Sequence, residues 1–251
     1  MSLTPDQIER YKRHILLPEI GGQGQQKLLA AKVLVIGAGG LGCPVLSCLA
    51  AAGVGTIGIC DDDTVALSNL QRQTLYTTDD IGQPKVSVAI SRLTALNPDI
   101  DFIAHRQRLT AHNAQSLVRG YDLILEGVDN FTSRYALNDA CIAARKPLIS
   151  AAIGKFDGQV ASFRGYEEGQ PCYQCFVPET PAEFANCELE GVVGAVPGTV
   201  GNLAAMEAIK VITGLASDLA GHILIYNGLS GETRRVKLPR DPACPAHRCD
   251  L

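Results

Sequence analysis

The chain opens with apolar residues at Ile8, Tyr11, Ile15 and Leu16, the spacing of one helical face. Thr4-Pro5-Asp6-Gln7 precedes them and reads as an N-cap threonine, a proline at the first helical position and a capping-box glutamine. Arg10, Lys12, Arg13 and His14 are interleaved with that face. From residue 32 the pattern alternates between short apolar runs and helical periods. Strands are predicted at 32–36, 56–60, 101–104, 121–125 and 147–151, with helices at 41–52, 84–96, 114–119 and 131–144. Asn97-Pro98 stops the second of these helices, because the residue before proline is pushed out of the helical region. Alternation of this kind specifies a parallel sheet with helices on both faces.

After Gly154 the texture changes. Residues 158–164, 222–226 and 233–238 read as strands, and 199–213 as a helix closed by Gly214. Between them, residues 165–197 show no period and are rich in Glu, Pro and Gly, as expected of a functional loop. The predicted class is therefore α/β, Rossmann-like, a doubly wound and mostly parallel sheet with added antiparallel strands in the C-terminal half. No repeat or low-complexity linker divides the chain. A single domain over 1–251 is expected, with a helical arm at 1–30, a nucleotide-binding half at 31–153 and a second half at 154–251.

Composition narrows the picture. Across 251 residues, apolar types make up 46% and charged types 19%, the balance of a globular protein with a real core. A formal net charge of −4 without a basic run argues against nucleic acid as the main partner. No apolar stretch reaches a membrane-span length, and the N-terminus lacks the layout of a secretory signal. Nine cysteines, an odd number, then point to reduced thiols and a cytoplasmic location.

The candidate chemistry begins at Gly37-Ala38-Gly39-Gly40-Leu41-Gly42, directly after the strand Val33-Leu34-Val35-Ile36. Glycines there allow a tight strand-to-helix turn and let phosphate approach the backbone N–H groups. Asp61, at the end of the second predicted strand, is placed to accept hydrogen bonds from ribose hydroxyls. Taken alone, these features suit an NAD-dependent oxidoreductase, or a non-catalytic nucleotide-binding protein. The sequel separates the readings. Ser68-Asn69-Leu70-Gln71-Arg72-Gln73 and then Lys85 add cationic side chains beyond the second strand. Lys85 sits in the first turn of its helix, the wrong end for a cation on dipole grounds, so an anionic partner is expected. A bridging pyrophosphate is served mostly by backbone and helix dipole, whereas a triphosphate needs cations and magnesium. Asp129, past the fourth strand, is placed to hold that magnesium through a carboxylate oxygen, with Asn130 beside it. The joint pattern favours ATP.

These residues resemble the MoeB/ThiF family, the bacterial relatives of ubiquitin-activating enzymes. The resemblance runs from Tyr11-Lys12-Arg13-His14-Ile15-Leu16-Leu17 to the C-terminal cysteines. It is most specific at Gly37–Gly42, Asp61-Asp62-Asp63, Ser68–Gln73, Gly82-Gln83-Pro84-Lys85, Asp129-Asn130 and Met206-Glu207-Ala208-Ile209-Lys210. It implies a homodimer that uses ATP and magnesium to adenylate the C-terminal glycine of a small ubiquitin-like sulfur carrier ending in Gly-Gly. By that resemblance Gly37, Gly39, Gly40, Gly42, Asp61, Asp63, Ser68, Asn69, Arg72, Gln73, Lys85, Asp129 and Asn130 form the nucleotide site. Arg13 is expected to reach the phosphates of the neighbouring subunit. Asp80-Ile81-Gly82-Gln83-Pro84-Lys85 leans to the carrier of molybdopterin synthesis over that of thiamine thiazole synthesis. The chain ends soon after the tail cysteines, so a separate sulfur donor protein is expected.

Cys172-Tyr173-Gln174-Cys175 and Cys244-Pro245-Ala246-His247-Arg248-Cys249 read as two halves of a structural zinc site about seventy residues apart. In the family the tail is a second C-x-x-C, and here His247 occupies the place of its last cysteine. Spacing favours His247 as fourth ligand and thiolate softness favours Cys249. Cys187, in Asn186-Cys187-Glu188, matches the family's loop cysteine, which forms a covalent intermediate in some members. Glu188 and Glu190 beside it would raise its pKa. Cys43, Cys48, Cys60 and Cys141 are expected to be small core residues.

Overall fold

The structure, a computed structural model, describes residues 3–179, 191–215 and 219–250, the side chains of 248–250 apart. One sheet of eight strands runs through these residues in the order β3-β2-β1-β4-β5-β6-β7-β8. The first five strands are β1 (Lys32–Ile36), β2 (Thr56–Cys60), β3 (Asp101–His105), β4 (Leu123–Glu126) and β5 (Leu148–Ile153), and all are parallel. β6 (Asp157–Phe163), β7 (His222–Asn227) and β8 (Glu232–Lys237) continue the sheet antiparallel. The expected mixed α/β sheet is what the chain adopts.

The covering helices are α4 (Gly42–Ala52), α5 (Lys85–Leu96), α6 (Ala111–Arg119), α7 (Phe131–Ala144), a single turn α8 (Tyr173–Phe176) and α9 (Ala195–Thr213). β1 shows why the sheet is covered on both sides. Val33 and Val35 enter one core with α4, α5 and α9, while Leu34 and Ile36 enter the other with α6 and α7. Residues two apart share a face, so an unbroken apolar strand is buried twice.

The N-terminal arm departs from the single helix predicted. The Thr4 capping box forms as read, but the helix breaks into α1 (Pro5–Arg10) and α2 (Lys12–Ile15) at Tyr11, whose φ of −101° and ψ of 15° are not helical. Tyr11 is 2% exposed, and its hydroxyl accepts a hydrogen bond from Asn97 Nδ2 at 2.9 Å. Burying that ring outweighs continuing the helix. A further helix, α3 (Gly21–Ala30), lies within the helical arm expected over 1–30, despite its glycine-rich start. Its stability is tertiary: buried Gln25 donates to Ala52 O and meets His14 Nδ1, and α3 packs on α9. α9 itself starts four residues ahead of the predicted 199, at Ala195. No helix among the described residues is long and apolar enough to cross a membrane.

Candidate active site

β1 lies between β2 and β4, so the strand order reverses beside it. The carboxyl ends of strands at such a reversal form a crevice. The Gly37–Gly42 turn crosses this edge. Gly37 has φ +92°, a backbone region that disfavours side chains, and its N–H donates to Cys60 O at 2.8 Å. A Cβ on Gly42 would stand 1.9 Å from Gly37 O, so the turn closes only with glycine there.

Ala38 is clamped on both sides. Its N–H donates to Asp61 Oδ2 at 2.7 Å, and its carbonyl accepts from the buried Tyr76 hydroxyl at 2.7 Å. Asp61 Oδ1 also accepts from Asp63 N at 2.8 Å. A carboxylate oxygen has two acceptor sites, so Asp61 retains capacity for a ribose hydroxyl. Tyr76 went unread in the sequence; only its place three residues after Gln73 hinted at it. Burial pushes its hydroxyl pKa well above the ordinary tyrosine value, which keeps it a donor.

The segment after β2 folds back over the turn. The side chain of Arg72 passes 3.7 Å from the position of a Gly40 Cβ and donates from Nη1 to Ser68 O at 3.0 Å. Pro197, near the start of α9, touches the same spot at 3.3 Å. Gln73 is 4% exposed with its amide beside Gly39, and its Oε1 finds no hydrogen-bond partner among the described residues. Its Nε2 lies 3.5 Å from the position of a Gly39 Cβ, so the amide already presents N–H donors at the glycine turn, as a phosphate oxygen requires. Asn69 shapes the segment: its Oδ1 accepts from Ala66 N at 3.4 Å. Ser68 is exposed at the rim.

Lys85 opens α5 and is almost wholly buried, yet it carries a charge. Its Nζ meets Asp63 Oδ2 at 2.8 Å, with Asp63 65% exposed. Backbone bonds Lys85 N to Asp63 O and Val65 N to Gln83 O tie the two segments together. The fold thus brings this lysine, as read from its place at the helix start, to the edge that holds Asp61. Asp129 lies exposed at the end of the β4 segment, and Asn130 caps α7 by accepting from Ser133 N at 2.9 Å. A hard, exposed carboxylate is the oxygen donor that magnesium takes. Next to it a cleft of about 390 Å³ is lined by Arg108, Leu109, Thr110, Asn130 and Ser133. The turn after β3 is held to the end of β2 by Cys60 Sγ on Gln107 O at 3.2 Å. Arg108 and Leu109 carried no motif signal; a position after the third parallel strand is the one cue the sequence offers.

Arg13 is not brought to this edge. It is exposed on α2, and the neighbouring Tyr11 packs against Gly53, at the far end of α4. An eleven-residue helix separates the two ends by about 16 Å. Cys187 lies outside the described residues. Cys43, Cys60 and Cys141 are buried as expected, and burial pushes the first two thiols up to about 11 and about 12. Cys48 departs from the expectation: it is half-buried, with Sγ 3.1 Å from Asn202 Oδ1.

On the other face, Cys172, Cys175, Cys244 and His247 converge, with their ligand atoms within 4.8 Å of one another. The Cys172 and Cys244 sulfurs are 3.7 Å apart, and Cys175 Sγ is 3.3 Å from His247 Nε2. Three sulfurs and one imidazole nitrogen so grouped fit tetrahedral zinc. Burial pushes the Cys172 thiol up to about 12, and a bound dication is the charge that would make it a thiolate. The described quartet contains His247; the Cys249 side chain lies outside the described residues. Tyr173, between the first two cysteines, is 2% exposed and faces the guanidinium of Arg134 at 5.8 Å. Arg134 in turn pairs with buried Glu126 at 3.6 Å. Neither residue stands out in the sequence.

The ThiF family matches residues 11–246. The chain is 47% identical over 250 residues to the sulfur carrier protein adenylyltransferase of Thermus thermophilus, covering 98% of this chain and 92% of that relative. It is 44% identical over 241 residues to the adenylyltransferase and sulfurtransferase MOCS3 of Mus musculus, covering 95% of this chain and 52% of the relative, so it spans about half of that protein. Among solved structures, E. coli MccB with MccA-N7isoASN aligns at a TM-score of 0.83 and 23% identity, over 96% of this chain and 74% of that one. PaaA aligns at 0.80 and 22% identity, over 95% and 76%. These two likenesses concern the fold alone.

Proposed function

We infer that this chain, which belongs to the ThiF family, is an adenylyltransferase that uses ATP to activate the C-terminal glycine of a ubiquitin-like sulfur carrier as an acyl-adenylate. The observation that carries the reading is the convergence of the glycine turn, Asp61, Arg72, Gln73 and Lys85 on one strand edge.

The chemistry asks little of proton transfer. A terminal carboxylate has a pKa near ~3.5 and is ionised at neutral pH, so no general base is required. One carboxylate oxygen bonds to the α-phosphorus while the bond to the bridging oxygen breaks and pyrophosphate leaves. The site must align the carboxylate and neutralise the leaving group. The base and ribose belong in the cleft beside Asn130 and on Asp61, and the triphosphate along Gly37–Gly42. Arg72 and Lys85 are assigned to the phosphates, with Lys85 exchanging Asp63 for a phosphate oxygen. Gln73 donates to the same group, Ser68 and Asn69 hold the segment, and Gly39 and Gly40 leave room for it. Asp129 would hold magnesium, which supplies positive charge to the phosphates when bound. Cys172, Cys175, Cys244 and His247 would hold a structural zinc.

The proposed enzyme is a cytoplasmic homodimer in which Arg13 of each arm serves the other subunit's phosphates, which accounts for its distance from its own site. A separate protein supplies sulfur to the adenylated carrier, and Cys187 is assigned a covalent role in that transfer. Of the two carriers, the molybdopterin-pathway protein is the preferred substrate. Mass spectrometry of each carrier after incubation with enzyme, ATP and magnesium tests the choice. An AMP adduct forming first on the molybdopterin carrier is expected; a faster adduct on the thiazole carrier reassigns the pathway.

A further inference from the structure

We propose that Arg134 is a positioning residue that couples the Cys/His cluster to the turn bearing Asp129, an inference that rests on the magnesium role given to Asp129 above. The Arg134 side chain is 10% exposed, and its guanidinium sits where three segments meet. Its Nε and Nη2 both donate to Val128 O, at 3.2 and 2.6 Å, and Nη2 also donates to Ala151 O at 3.1 Å. Glu126 balances the charge and accepts from Val128 N at 3.0 Å and from the Ser150 hydroxyl. Val128 is therefore held at both its N–H and its C=O, one by each member of the ion pair. Asp129 follows at once, and Asn130 is fixed next as the cap of α7. The carboxylate assigned to magnesium stands between two residues anchored by hydrogen bonds.

The other side of the guanidinium is closed by the Tyr173 ring. That ring is wedged edge-on among Tyr135, Phe163 and Phe176, and Tyr173 N donates to Asn138 Oδ1 on α7 at 2.8 Å. Because Tyr173 lies between Cys172 and Cys175, the backbone turn that sets the two sulfurs also sets the ring. Metal at the cluster fixes this turn, the turn fixes Tyr173, and Tyr173 keeps Arg134 on Val128. Partners one step removed from a metal ligand orient it and commonly matter about 10–100-fold in metal affinity. An ion pair that served only the fold would weaken nucleotide binding with and without magnesium alike. A strut to Asp129 weakens the magnesium-dependent part alone.

The test is equilibrium binding of ATP with and without magnesium, read as the ratio of the two affinities. It uses the wild type, zinc-loaded and zinc-stripped, and the zinc-loaded variants Arg134→Lys, Tyr173→Leu and Asp129→Asn. In Arg134→Lys the ratio is expected to fall about tenfold with magnesium-free affinity held within about twofold. Tyr173→Leu and the stripped wild type should fall in the same direction by less. Unchanged ratios in Arg134→Lys and Tyr173→Leu, or equal losses with and without magnesium, overturn the proposal. Should Arg134→Lys not fold, Tyr173→Leu decides by the same two outcomes. A wild-type ratio in Asp129→Asn overturns the magnesium role itself and the proposal with it. A collapsed ratio there beside unchanged ratios in the other two variants overturns the proposal alone.

Discussion

At Gly42 a single methyl group decides whether the glycine turn closes. Its Cβ would overlap Gly37 O, 1.9 Å away, so Gly42→Ala should cost about 3 kcal/mol, the upper end for overpacking, in denaturant unfolding, and should abolish ATP binding. Lys85 makes the complementary case. Lys85→Met keeps the stem in its buried channel and removes the charge, so pyrophosphate exchange should drop about 10²–10³-fold while the melting temperature holds. The buried thiols set a pH limit. Burial pushes the Cys43 and Cys60 thiols up from the ordinary value of 9.0 to about 11 and about 12 in the fold. A raised folded pKa means that the unfolded chain loses its proton first. Their stabilisation is thus complete below pH 9 and is lost as pH rises from about 9 to about 12, by up to about 1.4 kcal/mol per pH unit per thiol. Thermal melts across that range should show the decline, and Cys60→Ala should flatten it. Asp61, Arg72 and Lys85 were legible in the sequence because motif spacing exposes charge near a glycine turn. Tyr76, Glu126 and Arg134 were not, because their partners are backbone carbonyls and buried groups that only the tertiary fold supplies.

Among the elements, the strands were the most readable. Parallel strands buried on both faces leave unbroken apolar runs such as Val33–Ile36, and β1 and β2 occupy the predicted residues. The arm was the least readable. α3 is glycine-rich, and α1 and α2 divide at Tyr11 because the ring is worth more in the core than the helix is in solution. The Cys172–Cys175 turn and the tail form an element only together, since the turn alone spans four residues. Zinc should therefore be bound at one ion per chain with three thiolates. Chelation should lower the melting temperature, and Cys244→Ser should do the same without further response to chelator. Metal analysis and calorimetry check both statements; a chelator-insensitive wild type contradicts them.

For the whole molecule, the distance between Arg13 and its own glycine turn is the feature that a single chain leaves unresolved in function. The proposed homodimer with crossed arms would resolve it. Arg13→Ala and Arg72→Ala should each be inactive alone, yet subunits exchanged between them form one intact site in each mixed dimer, so about a quarter of wild-type activity should return. No recovery after verified exchange contradicts the crossed arrangement. The central claim, that this edge transfers AMP to a carboxylate, is tested most directly by ATP–pyrophosphate exchange with a carrier ending in Gly-Gly. Exchange should require the carrier, vanish when its last glycine is removed, and fall sharply in Arg72→Ala and Lys85→Met. Exchange absent with every such carrier, together with ATP binding untouched by Arg72→Ala, would contradict the account.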